Sequence, residues 1–336
     1  MAKVLFIGDP HLKITRFEQA TKFLTWLNTT ISIIKPDLVV NLGDTFDTHA
    51  VLRSEIITEF MKHVRCTLQL NIPYVYLVGN HDMYKPNDAK YHALLPFKGA
   101  MDNFFVVDST TDLFDMTFVP YQHAQSNFPS KTIPICVAHQ TFKGADYGDI
   151  TTQDGVDADS VAADIIISGH IHKRQSLGPK VVYPGSPFSQ SVNDVDQIKG
   201  LLLFDTESYQ QQFVPCPMPM WRMVKLDMEI GADDIKTILE KELNSTDHWV
   251  VQISGPKPEI VGLINSTAYK NLIKGKDVKF KPIFTDKEKR KAQIEALSME
   301  HIISEYVAKV YDGNLDRNIV KDTALDILKK TRSKSF

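Results

Sequence analysis

The 336-residue chain contains few of the residues that form covalent or metal-thiolate frameworks. Its three cysteines, Cys66, Cys136 and Cys216, lie far apart and form no C-x-x-C pair, which argues against a disulfide scaffold or a zinc ribbon and favours a reducing compartment. No stretch approaches the length of a membrane span, and the start MAKVLFIGDP has too short an apolar run for a signal peptide. We therefore expect a cytoplasmic protein with no membrane partner.

Positive charge is scarce in the first two thirds of the chain. Residues 1–221 carry 17 Lys and Arg against 23 Asp and Glu, whereas residues 222–336 carry 21 against 18. The basic residues are densest over 270–291, which holds nine Lys and Arg and three acids. Such a segment is usually solvated surface, and contact with a polyanion is the second interpretation.

Five apolar runs in the first two thirds of the chain each end at a polar residue. Runs of Val, Ile and Leu without alternation are typical of strands covered on both faces, as in parallel or mixed sheets. Amphipathic patterns over 17–34 and 53–69 predict helices between them, and the alternation predicts an α/β fold. The five runs are KVLFIGDPH (3–11), DLVVNLGDTFD (37–47), YVYLVGNHD (74–82), PICVAHQ (134–140) and DIIISGHIH (164–172).

The pattern changes after residue 180, where KVVYPGSPFSQSVND followed by KGLLLFDTE predicts a strand, a tight Pro-Gly turn, a loop and a strand. Residues 215–221, PCPMPMW, contain three prolines and are typical of a linker. They separate a first domain, 1–214, from a small α+β domain, 222–284, in which two strands flank a helix near 232–243. Beyond it, 287–331 has the pattern of two helices, 287–311 and 315–331.

The polar residues at the ends of the apolar runs have the chemistry of metal ligands. The carboxyl ends of parallel strands meet at one edge of a sheet, so residues that follow them come close together. Carboxylate, imidazole and amide without thiolate suit manganese, iron or zinc, and the surplus of donors suggests two metals that share a carboxylate. The candidate ligands are Asp9, His11, Asp44, Asn80, His139, His170 and His172.

Each of these residues has a structural interpretation when it is taken alone. An isolated Asp9 or Asp44 is more often a helix cap or a turn former than a ligand. His139 alone is more often a hydrogen-bonded core residue, and Asn80 after a glycine could simply form a turn. Their joint occurrence, each at the end of a buried run, favours the metal site.

In their order along the chain, these motifs resemble the calcineurin-like metallophosphoesterase superfamily. Within it, GDTFDT, GHIHK and YPGSPFSQSVND followed by GLLLFD are similar to SbcD-type nucleases of DNA double-strand-break repair, including short phage recombination nuclease subunits. The resemblance covers about residues 1–210. The motifs are Asp9-Pro10-His11, Gly43-Asp44-Thr45-Phe46-Asp47, Gly79-Asn80-His81-Asp82, Ala138-His139 and Gly169-His170-Ile171-His172.

The resemblance implies a fold and a pair of cofactors. The fold is the metallophosphoesterase fold, with two mixed β-sheets sandwiched by helices, followed by a small α+β capping domain and C-terminal helices. The cofactors are two divalent metal ions, with Mn²⁺ expected, and Asp44 would bridge them. The first ion would take Asp9, His11, Asp44 and His172, and the second would take Asp44, Asn80, His139 and His170.

The resemblance also implies roles for residues that are not ligands. His81 would lie beside the reacting phosphate and protonate the departing sugar oxygen or stabilise its charge. Asp82 would support the turn or orient a histidine ligand from behind. Some nuclease relatives carry a second catalytic histidine where this chain has Asp47, so we expect Asp47 to orient a ligand or DNA, and we assign no catalytic role to His49.

The partners implied by the resemblance are DNA and an SbcC-like ATPase subunit. DNA would be positioned by the 222–284 domain, and the ATPase would bind the helices of 287–331. Two copies would form a homodimer within a heterotetramer, through 53–69 or 87–97. Such a protein would act in the bacterial cytoplasm, or in the host cytoplasm if it is viral.

Two other functions use the same features. A small-substrate phosphatase or cyclic-nucleotide phosphodiesterase would use the same metal site, although PGSPFSQSVND and the basic second domain argue against it. A scaffold that merely tethers the ATPase to DNA would not need a complete ligand set. The sequence therefore favours a two-metal DNA exo- or endonuclease subunit.

Overall fold

The computed structural model describes residues 2–47, 52–85, 88–122, 128–129, 131–148, 150–285, 303–304, 306–307 and 316–332. The predicted helix over 287–311 lies almost entirely outside these residues, and so does His49. The chain divides into two compact units, Met1–Met223 with Thr246–Val250, and Val224–Ser245 with Val251–Phe336. Among the described residues, none of the helices has the length and apolarity that a membrane crossing requires.

The first unit contains most of the regular structure. Its two long helices are α1 (Phe17–Ile34) and α2 (Ser54–Gln69). Its strands are β1 (Lys3–Ile7), β2 (Leu38–Asn41), β3 (Tyr74–Leu77), β4 (Met83–Lys85), β5 (Asp88–His92), β6 (Phe104–Val107), β7 (Thr111–Leu113), β8 (Met116–Val119), β9 (Ile133–His139), β10 (Ala163–Gly169), β11 (Gln175–Leu177), β12 (Val181–Tyr183), β13 (Gly200–Asp205) and β14 (Gln211–Pro215).

Two six-stranded mixed sheets form the framework of this unit. The first has the order β14-β13-β1-β2-β3-β6, in which β1, β2, β3 and β6 are parallel and β13 and β14 run antiparallel to their neighbours. The second has the order β11-β12-β10-β9-β8-β7, in which the four central strands are parallel and β11 and β7 are antiparallel edges. The predicted α/β fold with two mixed sheets is confirmed.

Both faces of the first sheet are buried, which explains its continuous apolar runs. Successive residues of a strand point to opposite faces. In β1, Val4 and Phe6 pack between the two sheets, whereas Leu5 and Ile7 pack with Phe23 of α1 on the other side. The outer face of the second sheet is covered by the connection between β9 and β10, through the buried side chains of Phe142, Ala145, Val156 and Val161.

The second unit is a small α+β structure. A three-stranded sheet has the order β15 (Trp221–Asp227), β16 (His248–Gly255), β17 (Val278–Phe284), although β15 and β16 begin within the first unit. The helices are α3 (Ala232–Glu242), α4 (Lys257–Asn265), α5 (Thr267–Ile273) and α6 (Arg317–Arg332). Of these elements, β17, α4 and α5 were not predicted from the sequence.

Gly8, directly after β1, lies against the Pro-Gly turn that follows β12. A substitution at Gly8 tests how tightly these two segments pack. A Cβ atom at Gly8 would lie 2.0 Å from the carbonyl oxygen of Gly185, so backbone would have to move. We expect Gly8→Ala to lower the free energy of unfolding by about 1–3 kcal/mol or more, as overpacking does. Urea unfolding of the metal-free chain measures the change.

The control is Gly262→Ala, at a helical position of α4 where the new Cβ would meet no described atom within 4 Å apart from its chain neighbours and the backbone of its own helix. It should leave stability unchanged or slightly higher, because alanine favours helix more than glycine does. If Gly8→Ala unfolds at the urea concentration of the unaltered chain, the close packing of these two loops is wrong.

Candidate metal centre

Five strand ends bring the predicted ligands together. In the first sheet, β1 is followed by Asp9 and His11, β2 by Asp44, and β3 by Asn80. In the second sheet, β9 ends at His139, and β10 is followed by His170 and His172. The donor atoms of six of these residues form two groups, which a third group of His11, Asp44 and His81 joins, and within each group the atoms lie within 4.8 Å of one another. The structure therefore gathers all seven at one edge of the two sheets.

The first group consists of Asp9, His11 and His172. The Nε2 atoms of His11 and His172 face each other at 2.9 Å. The Asp9 Oδ1 atom accepts a hydrogen bond of 2.7 Å from the backbone N–H of His170, which fixes the carboxylate. The group coincides with the ligands expected for the first metal, apart from Asp44.

The second group consists of Asp44, His139 and His170, with Asn80 beside them. The Asn80 Oδ1 atom lies 2.8 Å from His170 Nδ1 and 3.1 Å from His139 Nε2. The Asp44 Oδ2 atom lies 3.3 Å from His139 Nε2 and 3.8 Å from His11 Nε2. Asp44 thus stands between the two groups, where a bridging carboxylate has to be.

The donor set fits divalent cations. Among the described residues, no hydrogen bond reaches the buried Asp9 Oδ2 atom or the buried His11 Nδ1 atom. Two imidazole nitrogens 2.9 Å apart can share at most one proton, whereas a cation binds both lone pairs. Oxygen and nitrogen donors without thiolate suit hard and borderline divalent ions.

The pKa shifts of the buried ligands also indicate that the site needs positive charge to offset its carboxylates. Burial, opposed by the charge of His139, raises the pKa of Asp9. Burial lowers the pKa of His11 and takes the pKa of His170 to about 3. At Asp44 burial is outweighed by the charge of His139, so the pKa is held below its usual range. In the metal-free protein, the proton on His139 supplies the positive charge that offsets the buried carboxylate of Asp44.

Asp82 holds two ligand loops together. Its Oδ2 atom accepts hydrogen bonds of 2.9 Å from the backbone N–H groups of both Asp44 and Gly79. Its Oδ1 atom accepts one of 2.7 Å from the hydroxyl of Tyr76. Burial and then the charge of Asp44 raise the pKa of Asp82 to about 7. The carboxylate therefore holds the backbone of the two ligand loops together, which is the turn-supporting role expected for it from the sequence.

Three of the predicted ligands adopt backbone conformations that side chains rarely take. The φ angles are +42° at His11, +50° at Asp44 and +80° at His170. Such left-handed backbone is strained for residues other than glycine and is concentrated at functional sites. These conformations occur one to four residues after a strand end, in the short connections that lead to the shared edge.

Asp47 lies beside the first group and outside the ligand set. Its Oδ1 atom is 2.8 Å from Lys13 Nζ and 3.7 Å from His11 Nδ1. This position allows Asp47 to orient the His11 ring, one of the two roles expected for it. His49 cannot be placed, since it lies outside the described residues.

Two supporting features were not foreseen from the sequence. Lys199 is buried, pairs with Asp194 at 2.6 Å and donates a hydrogen bond of 2.7 Å to the carbonyl of His172. Tyr121 packs its ring 5.5 Å from that of His170 and 6.1 Å from that of His139. The PGSPFSQSVND segment was noticed as a family feature, but nothing in it indicated that it braces a ligand loop.

Asp82→Asn tests whether the carboxylate aligns the ligand loops. The amide keeps the volume but cannot accept as strongly from two N–H groups, so we expect divalent-metal affinity to fall about 10- to 100-fold. Isothermal titration with Mn²⁺ measures the affinity. Tyr76→Phe removes only the hydroxyl contact and should cost much less, so equal losses in the two variants would contradict this role.

The pH dependence of metal binding tests the protonation of His139. Burial alone would lower the pKa of His139, but the charge of Asp44 outweighs it and raises the pKa to about 9 in the metal-free protein. Metal binds neutral imidazole, so below about pH 9 binding must displace this proton, and affinity should rise with pH and level off above that value.

Calorimetry in two buffers with different ionisation enthalpies counts the released protons. We expect about one proton per chain from this histidine at neutral pH, since His11 and His170 are already neutral there. Proton release that is absent at neutral pH would show that His139 is uncharged in the metal-free protein.

Comparison with known proteins agrees with this geometry. The calcineurin-like phosphoesterase family matches residues 2–174. A phosphoesterase of Invertebrate iridescent virus 3 is 27% identical over 298 residues, spanning 83% of this chain and 84% of the relative. A subunit of the nuclease SbcCD from Staphylococcus epidermidis is 26% identical over 275 residues, or 68% and 73% of the two chains. Exonuclease subunit 1 of Enterobacteria phage T4 is 24% identical over 230 residues, or 63% and 67%.

The family match spans more than half of the chain and contains every predicted ligand. It includes the strand ends on which the donors converge. The resemblance seen in the motifs is confirmed, and the chain belongs to the calcineurin-like phosphoesterases, as a metal-dependent phosphoester hydrolase.

Proposed function

We propose that this chain is a DNA nuclease subunit that hydrolyses phosphodiester bonds during recombination and double-strand-break processing. The observation that carries the proposal is the convergence of Asp9, Asp44, Asn80 and four histidines on two adjoining donor groups. Two relatives are named as nuclease subunits, which supports DNA as the substrate over a small phosphate ester.

The ligand charges suit a phosphodiester. Asp9 and Asp44 contribute two negative charges, and Asn80 contributes a neutral amide in place of a third carboxylate. Two bound divalent ions, Mn²⁺ in our proposal, would supply electrophilic charge to the phosphate oxygens and to the attacking water. The site then keeps a net positive charge, which favours a monoanionic diester.

His81 adjoins the proposed ligands, with a ring nitrogen within 4.8 Å of donor atoms of His11 and Asp44. Its backbone N–H donates a hydrogen bond of 2.7 Å to Asp44 Oδ1, and its ring packs edge to face against that of His11 at 4.8 Å. The side chain is only partly buried, so a substrate can reach it. We assign it the protonation of the departing sugar oxygen, a role that imidazole commonly fills.

In our proposal, the second unit contacts DNA and the C-terminal helix contacts a protein partner. The 222–284 domain would position DNA, since Lys279 and Lys281 lie exposed on β17. The 287–331 segment would bind an SbcC-like ATPase in the cytoplasm, since α6 exposes Ile319 and Ile327. The word subunit in the names of the two relatives supports a role within an assembly, which we propose to be a heterotetramer that contains two copies of this chain.

His81→Ala tests the proton-transfer role. Because His81 is outside the ligand set, the variant should bind the same amount of metal but cleave about 10²-fold more slowly or worse. Asp44→Ala, in contrast, should lose both metals, because it removes the bridging ligand. Metal content by mass spectrometry and cleavage rates distinguish the two. Cleavage by His81→Ala at the unaltered rate would refute the assignment.

A substrate comparison tests the function itself. The purified chain with Mn²⁺ is given linear DNA, circular DNA, a bis-aryl phosphate and a mono-aryl phosphate, with and without an ATPase partner. A nuclease cuts DNA and hydrolyses the diester but not the monoester. Hydrolysis of the monoester without DNA cleavage would identify a small-substrate phosphatase, and metal-free, inactive protein would identify a scaffold.

A further inference from the structure

A two-stranded hairpin extends directly from the loop that carries His81. Strand β4 begins at Met83, two residues after His81, and β5 ends at His92. Among the described strands, these two form a sheet of their own. The backbone N–H of Ala93 donates a hydrogen bond of 2.8 Å to the carbonyl of Asp82. Both ends of the hairpin are thereby fixed to the catalytic loop.

The inward face of the hairpin anchors it to the protein. Met83 and His92 are cross-strand partners, and both are buried. The His92 Nε2 atom lies 3.3 Å from Asp108 Oδ2, and the same carboxylate is held by Lys98 Nζ at 2.6 Å. The hairpin is therefore a fixed support for whatever its other face binds.

The outward face carries two large aromatic side chains. Tyr84 and Tyr91 are the neighbours of the Met83–His92 pair on the two strands, and they are 54% and 53% exposed. The register of the two strands shifts between Met83 and Lys85, so what places both rings on the outside is their exposure beside the buried Met83–His92 pair. Two exposed tyrosines beside a buried pair form a candidate binding surface rather than part of the core.

Lysines accompany both rings. The Lys85 Nζ atom lies 5.6 Å from the centre of the Tyr84 ring, and Lys90 Nζ lies 5.2 Å from that of Tyr91. These cations stand in the part of the chain where acids outnumber bases. Aromatic faces combined with adjacent positive charge are characteristic of proteins that bind single-stranded nucleic acid, by stacking bases and attracting phosphates.

The hairpin is close to the reacting phosphate. Tyr84 is three residues from His81, so their Cα atoms are at most about 11 Å apart, given the maximum reach of an extended chain. A ring at that distance is within reach of a nucleotide close to the one being cleaved. A protein partner bound there would instead compete with the substrate for access to His81.

We propose that the Tyr84/Tyr91 hairpin stacks unpaired bases next to the scissile phosphate, so that the preferred substrate is single-stranded DNA or a frayed DNA end. The inference rests on the proposed nuclease function and adds the class of substrate. An intact duplex keeps its base faces stacked inside, where these two rings cannot reach them. The two lysines contact the flanking phosphates.

The direct test is the binding of fluorescent oligonucleotides by the full chain in the presence of EDTA, followed by anisotropy. The probes are a single strand, the same sequence as a duplex, and a single strand of equal length with abasic sites. We expect the single strand to bind at least tenfold more tightly than the other two, because only it offers accessible base faces. Equal binding of the abasic strand would overturn the proposal whatever happens to the variants.

Variants then assign the effect to the hairpin. Tyr84→Ala/Tyr91→Ala should weaken single-strand binding about tenfold or more for each ring, whereas Tyr84→Phe/Tyr91→Phe should retain it, since stacking needs the ring and not the hydroxyl. The matched control is Tyr209→Ala. Tyr209 is an exposed tyrosine that follows β13, at the sheet edge opposite the metal site, and its loss should not affect binding.

The outcomes separate this inference from the proposed function. If the chain binds and cuts DNA but the alanine pair binds the single strand normally, only the hairpin is wrong. If the chain hydrolyses a bis-aryl phosphate but neither binds nor cuts any DNA, the nuclease function fails, and the hairpin inference fails with it. If the alanine pair instead changes the molecular mass in solution, the hairpin is a contact between copies and the inference is overturned.

Discussion

The structure depends on the burial of two carboxylates among imidazoles at the edge where two sheets meet. Asp9 and Asp44 are almost fully buried, and such charges are costly unless a partner compensates them. In the metal-free chain the compensation is partial: His139 takes up a proton, and one oxygen of Asp9 is left without a donor among the described residues. Two divalent cations would compensate all of these groups at once, which is why the metals and the fold have to be considered together.

The same constraint explains the backbone around the site. Most ligands must turn inward within one to four residues of a strand end, and the left-handed conformations of His11, Asp44 and His170 lie in these short connections at the expense of local strain. The strain is balanced by buried hydrogen bonds from outside the ligand set, above all those of Asp82 and Lys199. These bonds hold the ligand loops in place, whereas the surfaces that we propose to select the substrate lie in neighbouring elements such as the β4–β5 hairpin.

The sequence predicted the centre better than its surroundings. A buried run that ends in a polar residue is a local signal, so the strands before Asp9, Asp44, Asn80 and His139 and the helices α1 and α2 were all found. Short edge strands such as β7 and β11 have three residues each and no clear period, so they could not be recognised. The Lys199–Asp194 pair and the Tyr121 ring owe their roles to tertiary contacts, which no spacing along the chain encodes.

The most direct test of the two-metal site is a crystal structure of the chain with Mn²⁺, in which anomalous scattering locates the ions. The account predicts two peaks about 3.5–4 Å apart, as in other two-metal sites, with Asp44 between them. One peak should lie among Asp9, His11 and His172, and the other among Asn80, His139 and His170. A single peak at full occupancy, or peaks that leave these side chains uncoordinated, would contradict it.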